Sequence, residues 1–250
     1  MIDFRGKVVF VTGGSRGIGR ATALMLARAG ADVGITYATR AAEAEAVVRE
    51  MRAMGRKAFA AGGDLGDAGT VDRVFREFRT CFGRLDGFVA NAGVWPSDDV
   101  PVRDLPESRW RHTLSANLDS VFLTTRAALR LMGPGGRIVI VGSTAGQRGE
   151  AGHADYAASK GALHSFTKSL AVEAAPDVAV NCVAPGWVDT DMSAPALAGE
   201  GERAITATIP LRRVAPAEDV AGPILFLLSG LARHVTGEVL NVNGGSVLCG

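Results

Sequence analysis

The chain of 250 residues lacks the features that mark membrane, secreted and nucleic-acid-binding proteins. No uncharged stretch reaches the length of about 18 residues that a membrane-spanning helix needs, and the opening residues do not resemble a signal peptide. The formal net charge is +1 and there is no run of basic residues, so nothing favours binding to nucleic acid or to an anionic membrane. We therefore expect a soluble, cytoplasmic protein.

Cysteine and histidine are scarce and scattered. The three cysteines, Cys81, Cys182 and Cys249, form neither a redox motif nor a metal-binding motif, so we interpret them as buried or spectator thiols. The four histidines do not cluster with carboxylates in the sequence; they are His112, His153, His164 and His234. The sequence therefore predicts no metal site.

Hydrophobic residues, by contrast, are plentiful and recur in short runs along the whole chain. They make up 47% of the sequence, against 21% charged residues, which excludes a disordered chain. The length fits one α/β domain spanning residues 1–250, without a linker or repeat. Strands are predicted at Lys7–Thr12, Ala31–Thr36, Lys57–Ala60, Gly87–Ala90, Arg137–Gly142, Ala179–Ala184 and Glu238–Val242. Helices are predicted at Gly17–Ala29, Ala41–Met54, Ala68–Phe82, Pro106–Met132, Tyr156–Ala174 and Ala217–Ser229. This alternation predicts a doubly wound parallel sheet of seven strands with helices on both faces.

Glycines gather directly after the first predicted strand, at Gly13, Gly17 and Gly19, and the helix that follows stops at Gly30. Glycines let the backbone approach a pyrophosphate, and a helix N-terminus offers free N–H groups and a positive dipole end. The spacing differs from the general G-x-G-x-x-G fingerprint. This pattern alone therefore fits a plain glycine turn as well as a dinucleotide site.

Tyr156 and Lys160 stand four residues apart in a predicted helix, so their side chains point to the same side. A cation beside a phenol favours the phenolate and lowers the tyrosine pKa, which suits proton exchange with a carbonyl oxygen. Ser143 lies thirteen positions before Tyr156, where a predicted strand ends, and its hydroxyl could hold the same oxygen. Such a pair also occurs on solvated helix surfaces, so its meaning depends on the rest of the chain.

Taken together, these segments resemble the short-chain dehydrogenase/reductase family. The matching motifs follow the family's order along nearly the whole chain: Thr12-Gly-Gly-Ser-Arg-Gly-Ile-Gly19, Asp64-Leu65, Asn91-Ala-Gly93, Asn117, Ser143, Tyr156-x-x-x-Lys160, Pro185-Gly-Trp-Val-Asp-Thr190 and Asn241-Val-Asn-Gly-Gly245. The segments 180–192 and 236–245 are most similar to bacterial 3-oxoacyl-(acyl carrier protein) reductases. The resemblance implies a Rossmann fold and an enzyme that transfers hydride between a nicotinamide cofactor and a carbonyl group.

The resemblance also implies a role for each matching residue. Tyr156 is expected to donate the proton, and Lys160 to lower the tyrosine pKa and hold the nicotinamide ribose. Ser143 is expected to polarise the substrate oxygen and Asn117 to hold a water molecule of a proton relay, although a helix kink would also account for Asn117. The cofactor-binding residues implied are Gly13, Ser15, Arg16, Gly17, Ile18, Gly19, Tyr37, Arg40, Asp64, Leu65, Asn91, Ala92, Gly93, Tyr156, Lys160, Pro185, Gly186, Val188 and Thr190. For Asp64, capping of the following helix is an equal alternative.

The region after the second predicted strand favours NADP(H) over NAD(H). Proteins that prefer NAD place an acidic residue there to bind the ribose 2′-hydroxyl, but no Asp or Glu lies between Asp32 and Glu43. Arg16 and Arg40 are available instead, and a guanidinium matches a 2′-phosphate in charge and geometry. The plainer alternative is that both arginines are solvated surface residues.

Two substrate classes remain open. A substrate on acyl carrier protein requires attraction of an acidic partner, yet the loops 131–136 and 174–178 lack the basic residues that the resemblance leads us to expect. A free small-molecule ketone or secondary alcohol is therefore the alternative to a carrier-bound acyl thioester. An NADP-sensing regulatory protein is an alternative of another class, against which the presence of Ser143, Tyr156 and Lys160 argues.

Two further expectations concern the substrate and the assembly. The long irregular segment Asp191–Ala215 is expected to be a substrate lid that, with the loop Val94–Val102, sets the shape of the substrate site. The helix predicted at Tyr156–Ala174 carries small and apolar residues on most of its faces, so more than its sheet side should be buried. Val121–Leu129 is a second apolar run in a predicted helix. With the family resemblance, this pattern predicts a homotetramer of 222 symmetry.

Overall fold

The computed structural model describes residues 2–248, which form a seven-stranded sheet covered by helices on both faces. Every strand pairs in parallel with its neighbours, in the order β3-β2-β1-β4-β5-β6-β7. The strands are β1 Val8–Val11, β2 Asp32–Tyr37, β3 Ala58–Gly62, β4 Leu85–Ala90, β5 Met132–Val141, β6 Val178–Pro185 and β7 Val239–Val242. The predicted doubly wound parallel sheet is confirmed, and Cys249 lies outside the described residues.

The helices cover the sheet between successive strands. They are α1 Gly17–Arg28, α2 Ala41–Ala53, α3 Ala68–Phe82, α4 Glu107–Leu114, α5 Ser120–Leu131, α6 Ala145–Arg148, α7 Ala154–Glu173, α8 Ala194–Leu197, α9 Gly201–Thr208 and α10 Ala217–Leu228. Short 3-10 turns occupy Val102–Asp104 and Gly230–Ala232, and a π-helical turn at Ser115–Asp119 joins α4 to α5.

The core has two layers because alternate side chains of each strand point to opposite faces of the sheet. On one face, Val9 and Val11 of β1 pack in a cluster with residues of α1, α2 and α10. On the other face, Phe10 stacks on Phe78 of α3 with ring centroids 4.3 Å apart. Both faces are buried, which explains why the strands are continuous apolar runs.

The region between β4 and β5 departs from the prediction. The helix predicted at Pro106–Met132 is present from Glu107 to Leu131, but a π-helical turn interrupts its α-helical pattern where the Asn117 side chain bonds to the chain after β4. The strand predicted at Arg137–Gly142 begins earlier, since Met132 already pairs with Leu85 before a bulge.

The segment predicted as irregular from Asp191 to Ala215 is also more ordered than expected, since it contains α8 and α9. α8 carries its proline in the first turn, where a helix tolerates it, but α9 contains Gly201, Thr206 and Thr208, so local propensity does not account for both short helices.

The strand order places a crevice at one edge of the sheet. From β1 the chain passes outward to β2 and β3, then returns to the other side of β1 to form β4. In doubly wound sheets, ligands bind where the strand order reverses, beyond the carboxyl ends of the strands. The ends of β1, β4, β5 and β6 lead directly to Gly13, Asn91, Ser143 and Gly186, so the motifs meet at this edge.

Candidate active site

The glycine loop between β1 and α1 brings backbone close to the crevice. Gly17 has φ +53°, in the left-handed region that favours glycine, and a Cβ on Gly19 would lie only 2.2 Å from the Gly13 carbonyl oxygen. The first N–H groups of α1 have no partner within the helix, and its first turn carries no acidic residue. The loop is therefore a cradle that suits a pyrophosphate.

Asn91 fastens this cradle to the end of β4. Its Nδ2 donates to the carbonyl oxygen of Thr12 at 2.9 Å, while the Thr12 hydroxyl accepts from the amide N–H of Asn91 and of Ala92, each at 2.9 Å. The Gly13 amide donates to Thr36 Oγ1 at 3.0 Å. These bonds fix three adjacent strand ends relative to one another.

Asp64 lies in the crevice but does not cap the following helix. Its Oδ1 accepts from the Gly66 amide at 2.9 Å, whereas Asp67 caps α3 by accepting from the Thr70 amide at 2.7 Å. The capping explanation of Asp64 is thus wrong, and its carboxylate remains at the cavity wall.

Ser143, Tyr156 and Lys160 come together where β5 ends and α7 passes. Lys160 Nζ donates to the Val141 carbonyl oxygen at 2.9 Å and lies 5.9 Å from the centroid of the Tyr156 ring. The Ser143 hydroxyl accepts from the Ala145 amide at 3.1 Å. One face of a helix and one strand end thus present a phenol, an ammonium and a hydroxyl to the same cavity.

The pKa of Tyr156 shifts in the direction opposite to the one expected from the sequence. Burial raises the pKa of Tyr156 to about 12, a hydrogen bond with Ser143 opposes this, and the charge of Glu150 adds to it. Burial likewise lowers the pKa of Lys160 to about 8, with Cys182 opposing. The lowering of the tyrosine pKa that was expected from Lys160 is therefore absent, because loss of solvation on burial is the largest influence on the phenol. At neutral pH the phenol carries its proton.

Asn117 is fully buried and makes three side-chain hydrogen bonds. Its Oδ1 accepts from the Val94 amide at 2.7 Å, and its Nδ2 donates to the Val94 carbonyl oxygen at 2.9 Å and to Ser159 Oγ at 3.1 Å. Asn117 therefore connects the π-helical turn to the chain after β4 and to α7, next to Lys160.

One cavity of about 440 Å³ joins these features. Every residue predicted to bind the cofactor or to act in catalysis lines this cavity, except Gly19 and Asn117. Gly19 contributes instead by its lack of a Cβ, and Asn117 by its hydrogen bonds. Within residues 2–248, no group of three or more His, Cys, Asp or Glu side chains could hold a metal ion.

Two tryptophans, a histidine and a glutamate that the sequence did not single out lie in or beside the cavity. Trp95 and Trp187 meet edge to face with ring centroids 5.9 Å apart, and His153 stacks on Trp95 at 4.6 Å. Glu150 lines the same part of the cavity, where burial raises its pKa. Trp187 stands within a recognised motif and Trp95 within the loop predicted to shape the site, but no motif marks Glu150.

Asp191, the first residue of the predicted lid, lines the cavity, and its contacts with the two arginines were not predicted from the sequence. Its Oδ2 lies 3.0 Å from Arg16 Nη1 and 3.9 Å from Arg40 Nη2. Both arginines predicted to bind a 2′-phosphate are thus paired with one carboxylate.

Comparison with known proteins agrees with this geometry. A family model described as enoyl-(acyl carrier protein) reductase matches residues 13–246. The 3-oxoacyl-[acyl-carrier-protein] reductase of Escherichia coli is 39% identical over 247 residues, which cover 98% of each chain.

Two solved structures are also similar over nearly the full length. A short-chain dehydrogenase from Burkholderia cenocepacia, solved in complex with NADP, has a TM-score of 0.92 and 39% identity, covering 97% of this chain and 98% of that one. A blue fluorescent protein from a metagenomic library, solved with NADPH, has a TM-score of 0.93 and 36% identity, covering 98% and 100%. The chain belongs to the short-chain dehydrogenase/reductase family.

Proposed function

We propose that this chain is an NADP(H)-dependent oxidoreductase that interconverts a ketone and a secondary alcohol, with a 3-oxoacyl thioester as the ketone. The observation that carries the proposal is the shared cavity, with the glycine loop, Arg16 and Arg40 on one side and Ser143, Tyr156 and Lys160 on another. A dinucleotide cradle and a proton donor thus face one space, as a carbonyl reductase requires.

The cavity residues fit NADP(H). The amides of the glycine loop and the start of α1 suit the pyrophosphate, and Arg16 and Arg40 suit the 2′-phosphate. Asp64 and Leu65 are assigned to the adenine, Asn91, Ala92 and Gly93 to the strand end beside the cofactor, and Pro185, Gly186, Val188 and Thr190 to the nicotinamide end. When bound, NADPH supplies a hydride to the carbonyl carbon of the substrate.

In reduction, Tyr156 donates its phenolic proton to the substrate oxygen as that oxygen gains negative charge. The raised pKa of Tyr156 keeps the proton on the phenol at neutral pH, so the acid is ready when the substrate arrives. The Ser143 hydroxyl donates a hydrogen bond to the same oxygen and stabilises the developing charge. In the reverse direction the phenolate accepts the proton of the alcohol.

Lys160 and Asn117 support this proton transfer. The Lys160 ammonium stabilises the phenolate that remains once Tyr156 has given up its proton. Asn117 fixes α7 through Ser159, one residue before Lys160, and we assign to it the water-holding position of the relay.

The substrate side of the cavity is formed by Trp95, Trp187 and the start of the lid segment 191–215. The 3-oxoacyl-[acyl-carrier-protein] reductases among the relatives support an acyl thioester. A free ketone is the second candidate because segments 131–136 and 174–178 contain no basic residue. Arg126 on α5 packs over the Phe122 ring, with its guanidinium carbon 5.0 Å from the ring centroid. Without complementary charge, the encounter with an acidic carrier would be slow.

The same proposal includes a homotetramer formed through α5 and α7. Phe122 on α5 and Val172 on α7 are 44% and 80% exposed, unlike most large apolar side chains of the described residues. A two-fold pairing of these helices would cover both. Among residues 2–248, no helix is long and apolar enough to cross a membrane. The proposal also places the enzyme in the cytoplasm and treats residues 1–250 as a single domain.

A substrate panel tests the proposal. NADPH consumption is measured with acetoacetyl-carrier protein, with the acetoacetyl thioester of a short thiol, and with simple ketones at equal concentration. We expect turnover of the thioesters, with the carrier-bound form preferred if the protein surface recognises the carrier. Turnover of free ketones alone would select the second candidate, and NADPH binding without any turnover would indicate a binding protein.

A further inference from the structure

Asp191 joins three distant segments of the chain at the edge of the cavity. Its Oδ2 lies 3.0 Å from Arg16 Nη1, although the two residues are 175 positions apart, and 3.9 Å from Arg40 Nη2. Arg16 belongs to the glycine loop and Arg40 precedes α2, whereas Asp191 is the first residue of the lid segment 191–215. The contact therefore ties the start of the lid to the cofactor cradle.

The charges around the two arginines are already balanced. Arg40 Nη1 also lies 2.9 Å from Glu43 Oε1, so two guanidinium groups face two carboxylates. A phosphate monoester carries nearly two negative charges and requires free cationic donors. A 2′-phosphate that approaches Arg16 and Arg40 therefore meets a carboxylate on the same guanidinium groups, and the two anions repel each other.

We propose that Asp191 occupies the arginine pair until the 2′-phosphate of NADP(H) displaces it, so that this residue tunes cofactor preference and couples cofactor recognition to the lid. The inference rests on the proposed function only in taking NADP(H) as the ligand. NAD(H) has a hydroxyl in place of the phosphate and leaves the ion pairs intact. Binding of NADP(H) breaks them and releases the start of the lid, which continues through Met192 into α8.

Cofactor affinity provides the first test. Asp191→Asn keeps the shape of the side chain and removes its charge, so we expect NADPH to bind about two- to fivefold more tightly, the upper part of the range that exposed ion pairs support. The affinity for NADH should change less than about twofold. Asp189→Asn is the matched control, because Asp189 is exposed, lies two residues earlier and does not line the cavity. Affinities are obtained by titrating the fluorescence of the reduced cofactors.

Hydrogen exchange of segment 191–208 provides the second test, without turnover or a nicotinamide. Adenosine 2′,5′-bisphosphate and adenosine 5′-monophosphate differ only in the 2′-phosphate. In the wild type we expect the bisphosphate to speed exchange in this segment and the monophosphate to leave it unchanged. In Asp191→Asn exchange should be fast from the start and respond to neither nucleotide.

Other outcomes separate the inference from the proposed function. Unchanged or weaker NADPH binding by Asp191→Asn, or equal effects of both nucleotides on the lid, would overturn the inference even if the wild type reduces ketones. A protein that shows both expected effects but reduces no carbonyl compound would retain the inference and lose the proposed function.

Discussion

Replacing Asn117 by alanine removes three hydrogen bonds from a fully buried site. Two of them satisfy the amide and the carbonyl of Val94, and the third reaches Ser159. A neutral hydrogen bond contributes about 1 kcal/mol net, and a buried polar group left without a partner costs more. We therefore expect a loss of about 3 kcal/mol in the free energy of unfolding, or roughly 6–12 °C in Tm for a chain of this size.

Denaturant unfolding followed by tryptophan fluorescence measures this loss. Asp119→Ala is the control, since Asp119 lies in the same π-helical turn but is exposed, and it should change stability by less than about 0.5 kcal/mol. Asn117→Asp should also destabilise the protein at neutral pH, because a carboxylate cannot donate to the Val94 carbonyl. Its pKa should rise in the folded state, so stability should return as pH falls below that value. If Asn117→Ala is as stable as Asp119→Ala, the three hydrogen bonds do not hold the turn.

Three more predictions concern chemistry, cofactor and assembly. Burial lowers the pKa of Lys160 to about 8, so the rate of ketone reduction should fall as pH rises through that value. Tyr156, with its pKa raised to about 12, stays protonated over this range. A rate that does not change between pH 7 and pH 9 would count against the role of Lys160. Arg16→Ala should weaken NADPH binding and leave NADH binding nearly unchanged, as measured by equilibrium titration, and equal losses would exclude a 2′-phosphate contact. Light scattering should give about four times the chain mass of 25.9 kDa, and a stable monomer at micromolar concentration would rule out the tetramer.

The sequence predicted those features that depend on short stretches of neighbouring residues, namely the strands, most of the helices and the motifs at the strand ends. Apolar runs separated by helix-forming segments predicted the parallel sheet, and the comparisons and the strand order confirm it. Because Gly13, Asn91 and Ser143 each follow a strand, their arrival at one sheet edge followed from topology alone. The preference for NADP(H), inferred from Arg16 and Arg40, agrees with the NADP and NADPH in the two solved relatives.

Features that depend on contacts between distant segments were not predictable in the same way. The π-helical turn forms where Asn117 bonds to Val94, 23 residues away, and β5 starts early because Met132 pairs with Leu85. The pairing of Asp191 with Arg16 likewise spans 175 residues. The pKa of Tyr156 is raised rather than lowered because burial, which a sequence motif does not report, outweighs the hydrogen bond with Ser143.

The same contrast appears among the cavity walls. Ser143 and Tyr156 were found because their residue types carry recognisable chemistry at a fixed spacing. Glu150 lies only seven residues after Ser143, yet its place in the cavity wall and the rise of its pKa on burial depend on the tertiary fold. A residue whose role depends on its burial and position in the folded cavity has no motif by which a single sequence could identify it.

The central claim is that Tyr156 supplies the proton in an NADPH-dependent carbonyl reduction. Steady-state turnover of an acetoacetyl thioester by the wild type and by Tyr156→Phe tests it most directly, with NADPH affinity measured on both proteins. The phenylalanine ring keeps the packing and lacks the acid, so turnover should fall by about 10²–10⁴ while NADPH binds within about twofold of the wild type. A variant that retains more than about half of the wild-type turnover would contradict the account, since general acid catalysis of this kind contributes far more than a factor of two.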